Sequence, residues 1–190
     1  MDAGLIYEYL ERISHLLRAN ARRADSDGML QPVQLEALHY LSRCNAYSNT
    51  PAAVTDYLGL TKGTVSQTLR VLESNGYVEK QADEKDGRVV HLLLTRKGRG
   101  LVESAIPPKN LRLGVDDLPP PMQEQLGTAL YQLLGAIQRS NQLKSFGVCR
   151  TCRYNASLGQ DSFRCELTGA TLTPSDVTRI CREHAGRDGG

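Results

Sequence analysis

The residues with the most evident chemistry lie near the end of the chain, in the pattern Cys149-x2-Cys152-x12-Cys165-x15-Cys181-x2-His184. Thiolates are soft donors that favour Zn(II) or iron–sulfur clusters. A CxxC pair joined by a loop to two further cysteines can close a tetrahedron with no open position for catalysis. The expected role is a staple, because a segment of about 45 residues with few large apolar side chains can hardly fold on its own core. Zn(II) is the favoured occupant, since closed zinc sites are the commoner use of such ligands; an iron–sulfur cluster, which would make the chain a redox or iron sensor, is the alternative. His184 is a fifth donor, able to replace one thiolate, although a surface histidine is its plainer reading. Arg150, Arg153, Arg164, Arg179 and Arg182 surround these positions and can offset thiolate charge or touch phosphate. A thiol oxidoreductase built on Cys149 and Cys152 would need a strand before the motif and a helix after it, whereas this motif follows a long helix. Cys44 stands apart on an apolar helix face and reads as a small core residue.

A second cluster of functional types lies between Thr61 and Asn75. On a wheel of about 100° per residue, Val65, Leu69 and Leu72 share one side. Gly63, Ser66, Gln67 and Arg70 fall opposite, with Thr61 as the cap and Lys62 and Thr64 at the edges. Such a face suits a DNA groove: glycine permits close approach, Gln67 matches adenine, and Arg70 matches guanine or phosphate. A charged turn follows, in which Lys85, Asp86 and Arg88 surround an Asp-Gly hairpin signal. Arg88 is placed for phosphate or a narrow minor groove, and Asp86 is expected to orient its guanidinium.

Several elements must position these groups. Leu5, Ile6, Tyr9, Leu10, Ile13, Leu16 and Leu17 define an amphipathic helix to about Arg23, broken by residues 25–28. A second helix starts near Pro32 and carries Leu35, Leu38, Leu41 and Cys44 on one side. Thr50 caps a third, with Pro51 at its first position and Gly59 at its end. The tight step from Gly59 to Thr61 makes residues 51–75 a helix-turn-helix candidate. Tyr77–Lys80 and Val89–Leu94 then form a hairpin, the wing, and Thr95 caps a helix that stops at Pro107-Pro108. Pro107 to Pro121 reads as a connector, and Met122, Leu126, Leu130, Leu133, Leu134 and Ile137 mark a last helix to about Leu143.

The run Leu60-Thr61-Lys62-Gly63-Thr64-Val65-Ser66-Gln67-Thr68-Leu69, followed by Leu72-Glu73, Asn75-Gly76-Tyr77-Val78, Asp86-Gly87-Arg88, Leu92-Leu93-Leu94-Thr95 and Gly98, resembles the MarR family of winged-helix regulators. The resemblance spans residues 5 to 143. It implies a homodimer with intertwined terminal helices that presents two recognition helices to a pseudo-palindromic operator in double-stranded DNA, about 34 Å apart. It also implies a repressor role and release by a small-molecule or redox effector. The chain departs from the family pattern in its short helix after the wing and in its cysteine-rich tail.

The expected fold class is thus mainly α with a small β-hairpin wing: a winged helix-turn-helix with a helical dimerisation region over residues 1–145, and a small metal-stapled module over 146–190. A net charge of only +2 means that nucleic-acid binding rests on the placement of charge and not on its total. No basic leader precedes an apolar run at the N-terminus and no apolar stretch is of membrane-spanning length, so a cytoplasmic chain without membrane contact is expected. With no phosphate loop and no Ser/His/Asp arrangement, the chain is not read as an enzyme. The competing reading is a metal-stabilised interaction module that binds DNA without sequence preference.

Overall fold

The computed structural model describes residues 2–24, 30–84, 86–140 and 143–187, with residues 20–24 described by their backbone alone. In chain order the elements are α1 (Ala3–Ala24), α2 (Pro32–Arg43), α3 (Pro51–Leu58), α4 (Lys62–Ser74), β1 (Val78–Ala82), β2 (Val90–Leu94), α5 (Arg96–Ala105), α6 (Lys109–Asp116) and α7 (Pro120–Ser140). A three-stranded antiparallel sheet follows, β3 (Asn155–Gly159), β4 (Ser162–Cys165) and β5 (Thr171–Leu172), in the order β3-β4-β5. The mainly helical fold class with a hairpin wing is as expected.

The core lies where α2, α3, α4 and the hairpin meet. Leu38 and Tyr40 from α2, Ala53 and Val54 from α3, and Val65, Leu69 and Leu72 from α4 are buried there with Tyr77, Val78, Leu92 and Leu94. Cys44 joins this cluster as a core residue, and burial pushes its thiol up to about 12, so it carries no thiolate near neutral pH.

The apolar stripes of α1 and α7 are formed as helices but are not buried. Leu5, Leu10, Ile13 and Leu16 on α1, and Met122, Leu126, Leu130, Leu134 and Ile137 on α7, are all exposed, and neither α6 nor α7 contains a buried residue.

The segment expected as a plain connector from Pro107 to Pro121 contains α6, which corrects that expectation. The prolines sit outside the helix, at the cap Pro108 and at the start of α7, where a missing N–H breaks no intrahelical bond. The start of α7 accordingly moves back from Met122 to Pro120. The break expected at residues 25–28 lies outside the described residues.

Candidate nucleic-acid interface and cysteine cluster

The geometry of α4 follows from the caps of α3 and α4. The Thr50 hydroxyl accepts from the Ala53 N–H at 3.3 Å and starts α3, and Gly59, in the left-handed region at φ 63°, ends it. Glycine is the residue that adopts this conformation without a Cβ penalty, so the chain turns within two residues and Thr61 can cap α4, accepting from the Thr64 N–H at 3.2 Å. Val65, Leu69 and Leu72 then face the core, which turns Thr61, Lys62, Gly63, Thr64, Ser66, Gln67 and Arg70 to the exterior. Thr61 and Thr64 also share a hydroxyl contact of 2.9 Å. Arg70 Nη1 donates to Gln67 Oε1 at 3.3 Å, which holds the two long side chains together.

The wing pairs β1 with β2 in the register Val78↔Leu94 to Ala82↔Val90. At its tip the Asp86 N–H donates to Asp83 Oδ1 at 2.8 Å, and the Asp86 carboxylate accepts from the backbone N–H of Arg88 at 3.0 Å. That corrects the expected role of Asp86: a short aspartate two residues ahead of Arg88 closes a local turn on its backbone and does not reach the guanidinium. The Arg88 side chain is exposed and makes no ion pair among the described residues. Lys85, also expected at this tip, lies outside the described residues.

The anchors of the wing were not foreseen. His91 Nδ1 lies 2.6 Å from Asn49 Oδ1 and its Nε2 3.0 Å from Asp83 Oδ2, so one imidazole links the loop before α3 to the start of the turn. The only available signal was a histidine inside an apolar run. Lys80 on β1 pairs with Glu73 on α4, and Lys97 donates to the Asn75 carbonyl at 3.0 Å while lying over the Tyr77 ring. Helix and wing are thus tied together by side-chain contacts.

In the tail, Cys149 opens a single 3-10 turn ending at Thr151, and the Cys152 N–H donates to the Cys149 carbonyl at 3.0 Å. Cys165 ends β4 and Cys181 follows the bridge residue Ile180. These segments gather the four thiols. Burial, with smaller contributions from the nearby Cys152, Cys181 and Cys165, raises the Cys149 pKa to about 11. All remain free cysteines. They are gathered without closing: among the described residues no group of three or more His, Cys, Asp or Glu side chains is arranged to hold a metal ion. One observation nonetheless fits a soft metal, namely that the donor set is all thiol. Asn155, which stands opposite Cys165 in the sheet register and is 9% exposed, keeps a buried Oδ1 with no hydrogen-bond partner. His184 is half-buried instead of a surface group. Its Nδ1 lies 2.6 Å from Ser145 Oγ and its Nε2 3.0 Å from Thr151 Oγ1, so both nitrogens are engaged by hydroxyls. Burial lowers its pKa and keeps it neutral.

Residues 30–89 match the model of the MarR family. The winged helix is similar to MarR-family domains. The chain is 31% identical over 86 residues to the organic hydroperoxide resistance transcriptional regulator of Bacillus subtilis (strain 168), a match spanning 45% of this chain and 58% of that protein. Among solved structures it is similar to Streptococcus pneumoniae FabT in complex with DNA, at 28% identity and TM-score 0.58, covering 73% of this chain and 99% of that one. It is also similar to the S. aureus MepR–DNA complex, at 29% identity and TM-score 0.57, covering 70% and 98%. A MarR regulator from Methanosarcina mazei Go1 shares the fold at TM-score 0.62 with 20% identity.

The tail is attached to the winged helix through that domain's own core. Phe146 packs edge-on to Tyr40 and Tyr57, at ring-centroid distances of 5.9 and 5.2 Å, while those two rings stack at 4.3 Å. Ile180 packs against the same cluster. The Ile180 N–H donates to the Arg43 carbonyl at 2.9 Å, and the Asn45 N–H donates back to the Ile180 carbonyl at 2.9 Å.

Proposed function

We propose that this chain is a sequence-specific regulator of transcription that binds double-stranded DNA as a homodimer and acts as a repressor by occupying its operator. The observation that carries the reading is the exposed polar face of α4, backed by Val65, Leu69 and Leu72 and flanked by the exposed Arg88 of the wing. Thr61, Lys62, Gly63, Thr64, Ser66, Gln67 and Arg70 enter the major groove, and Arg88 takes phosphate or the adjacent minor groove. With its Oε1 held by Arg70, Gln67 offers its amide hydrogens, so the pair presents mainly donors and suits the acceptor-rich edge of guanine. The DNA complexes of FabT and MepR support this docking by likeness.

The second copy is assigned to the exposed apolar stripes of α1 and α7, since faces of this kind are stable only when covered. Cys149, Cys152, Cys165 and Cys181 are assigned as ligands of one Zn(II), which supplies cross-linking and no catalysis. With Cys44 buried and fully protonated, a redox effector would act on the tail thiols.

The test is anisotropy titration of labelled duplexes enriched by the protein from a randomised pool, against scrambled controls. Arg70→Ala should reduce discrimination between the two, and Arg88→Ala should weaken both alike and lower the salt slope by about 1. Wild-type affinity and discrimination in both variants would refute the docking.

A further inference from the structure

We infer that His91 is the positioning residue of the wing: through Asp83 and Asp86 it fixes where Arg88 meets the duplex. This role rests on the docking proposed above and adds the groups that aim its wing contact.

The tip of the wing has no apolar support of its own. On β1 only Val78, at the root, is buried, and Glu79 to Ala82 are exposed. Core packing therefore places the root and leaves the direction of the tip to polar contacts, without which a two-stranded ribbon is marginal. Those contacts form one continuous path. Asn49 is 8% exposed and directly precedes Thr50, the cap of α3. It grips β2 twice: its carbonyl accepts from the Leu92 N–H at 2.7 Å, and its Oδ1 lies 2.6 Å from His91 Nδ1. On the far side of the same ring, Nε2 lies 3.0 Å from Asp83 Oδ2. Asp83 Oδ1 in turn accepts the Asp86 N–H at 2.8 Å, and the Asp86 carboxylate accepts the Arg88 N–H at 3.0 Å. Backbone bonds close the tip around this path, from the Asp83 N–H to the Val89 carbonyl at 2.9 Å and from the Val89 N–H to the Asp86 carbonyl at 2.8 Å.

The imidazole thus joins the helix-turn-helix to the turn that carries Arg88. The Lys80–Glu73 pair ties β1 nearer its root and does not reach the tip. The His91 and Asp83 side chains are 22% and 32% exposed, so water competes only in part for their bond. Either protonation state of the ring serves: an imidazolium donates to both oxygens, and a neutral ring donates from Nε2 while accepting the Asn49 amide on Nδ1. Arg88 is exposed, and a long side chain gives up rotamer freedom on entering a groove. With the path intact its backbone is already fixed, so less freedom remains to be lost on binding. Without the imidazole the tip swings about the root, and ordering it offsets part of the Arg88 contact.

The experiment is a double-mutant cycle on the full chain, with the enriched duplex at fixed salt in the anisotropy titration. His91→Phe keeps a planar ring of similar size and removes both nitrogens. It should weaken binding about threefold or more when Arg88 is present and by less than about 1.5-fold in the Arg88→Ala background, a coupling expected of groups in one network. A ring that merely stabilised the fold would cost the same factor in both backgrounds. A second pair of variants reads the same path without touching the ring, and decides the matter if His91→Phe misfolds. Asp83→Ala and Asp83→Asn remove the same charge, but the asparagine amide can still accept from Asp86 and donate to His91. Asp83→Asn should therefore bind about threefold more tightly than Asp83→Ala. Equal binding by wild type and His91→Phe, an equal His91→Phe penalty in both backgrounds, or equal binding by the two Asp83 variants would overturn the positioning role while leaving DNA recognition intact. Wild-type binding by Arg88→Ala, or a chain that enriches no duplex, would instead overturn the docking on which that role rests.

Discussion

Gly98 provides a stringent test of how the wing is held against the following helix. A Cβ built on it would lie 2.3 Å from the Tyr77 carbonyl oxygen, 3.2 Å from its carbon and 3.3 Å from Leu94 Cδ2. The closest obstacle is backbone and cannot rotate away, so α5 must withdraw from the β1 junction by nearly an ångström. The same carbonyl accepts from the Thr95 N–H at 3.1 Å and receives a second contact from the Thr95 hydroxyl at 3.3 Å, and both lengthen with that withdrawal. Overpacking of about 1–3 kcal/mol and weakened hydrogen bonds of about 1–2 kcal/mol oppose a helix-propensity gain for alanine of about 0.5–1 kcal/mol. Gly98→Ala should therefore lose about 1–4 kcal/mol in urea unfolding followed by far-ultraviolet circular dichroism. Gly100, two residues along the same helix, has nothing within 4 Å of its would-be Cβ. Gly100→Ala should instead gain about 0.5–1 kcal/mol. A Gly98→Ala protein as stable as the wild type, or two alanine variants shifted in the same direction, would refute the close-packing argument.

Two further outcomes follow from burial and exposure. Burial, with a smaller contribution from Arg43, lowers the His39 pKa below its ordinary 6.5, so the folded chain stays neutral there while the unfolded chain takes up a proton. Stability should be undiminished by this group above pH 6.5 and should fall as the pH drops toward the lowered value; His39→Gln should flatten that part of the pH–stability curve, and an unchanged slope would contradict the assignment. Leu130 on α7 is 45% exposed in the single chain, so Leu130→Asp should leave the helical circular dichroism intact while sedimentation shows monomer in place of dimer; a stable dimer of this variant would move the partner surface elsewhere.

The winged helix was legible because its determinants are local. Thr50, Pro51, Gly59 and Thr61 mark helix ends by side-chain and backbone chemistry within four residues, and Val65, Leu69 and Leu72 state which side is buried. What escaped depended on distant pairings or on elements that bury nothing. His91 meets Asn49 across 42 residues, and His184 meets Ser145 and Thr151 across 39 and 33, so no window along the chain reveals either lock. α6 went unread because the prolines at its borders suggested coil, and no core contact disciplines its side chains. Asp86 was assigned to the wrong atoms of the right residue, since a carboxylate near an arginine reads alike whether it meets backbone or guanidinium. The small sheet of the tail is held by pairing between short strands, with too few alternating residues for a period to show.

The placement of Phe146 bears on how such a chain can have arisen. An appendage joined by a free linker can be exchanged between proteins as a cassette, leaving its host unaltered. This one supplies a ring to a three-ring contact whose other members, Tyr40 and Tyr57, belong to the host, so donor and recipient surfaces had to change together. Cutting ahead of residue 146 would leave two stacked tyrosines facing water, and grafting the tail onto another winged helix would require the aromatic seat to be carried along with it.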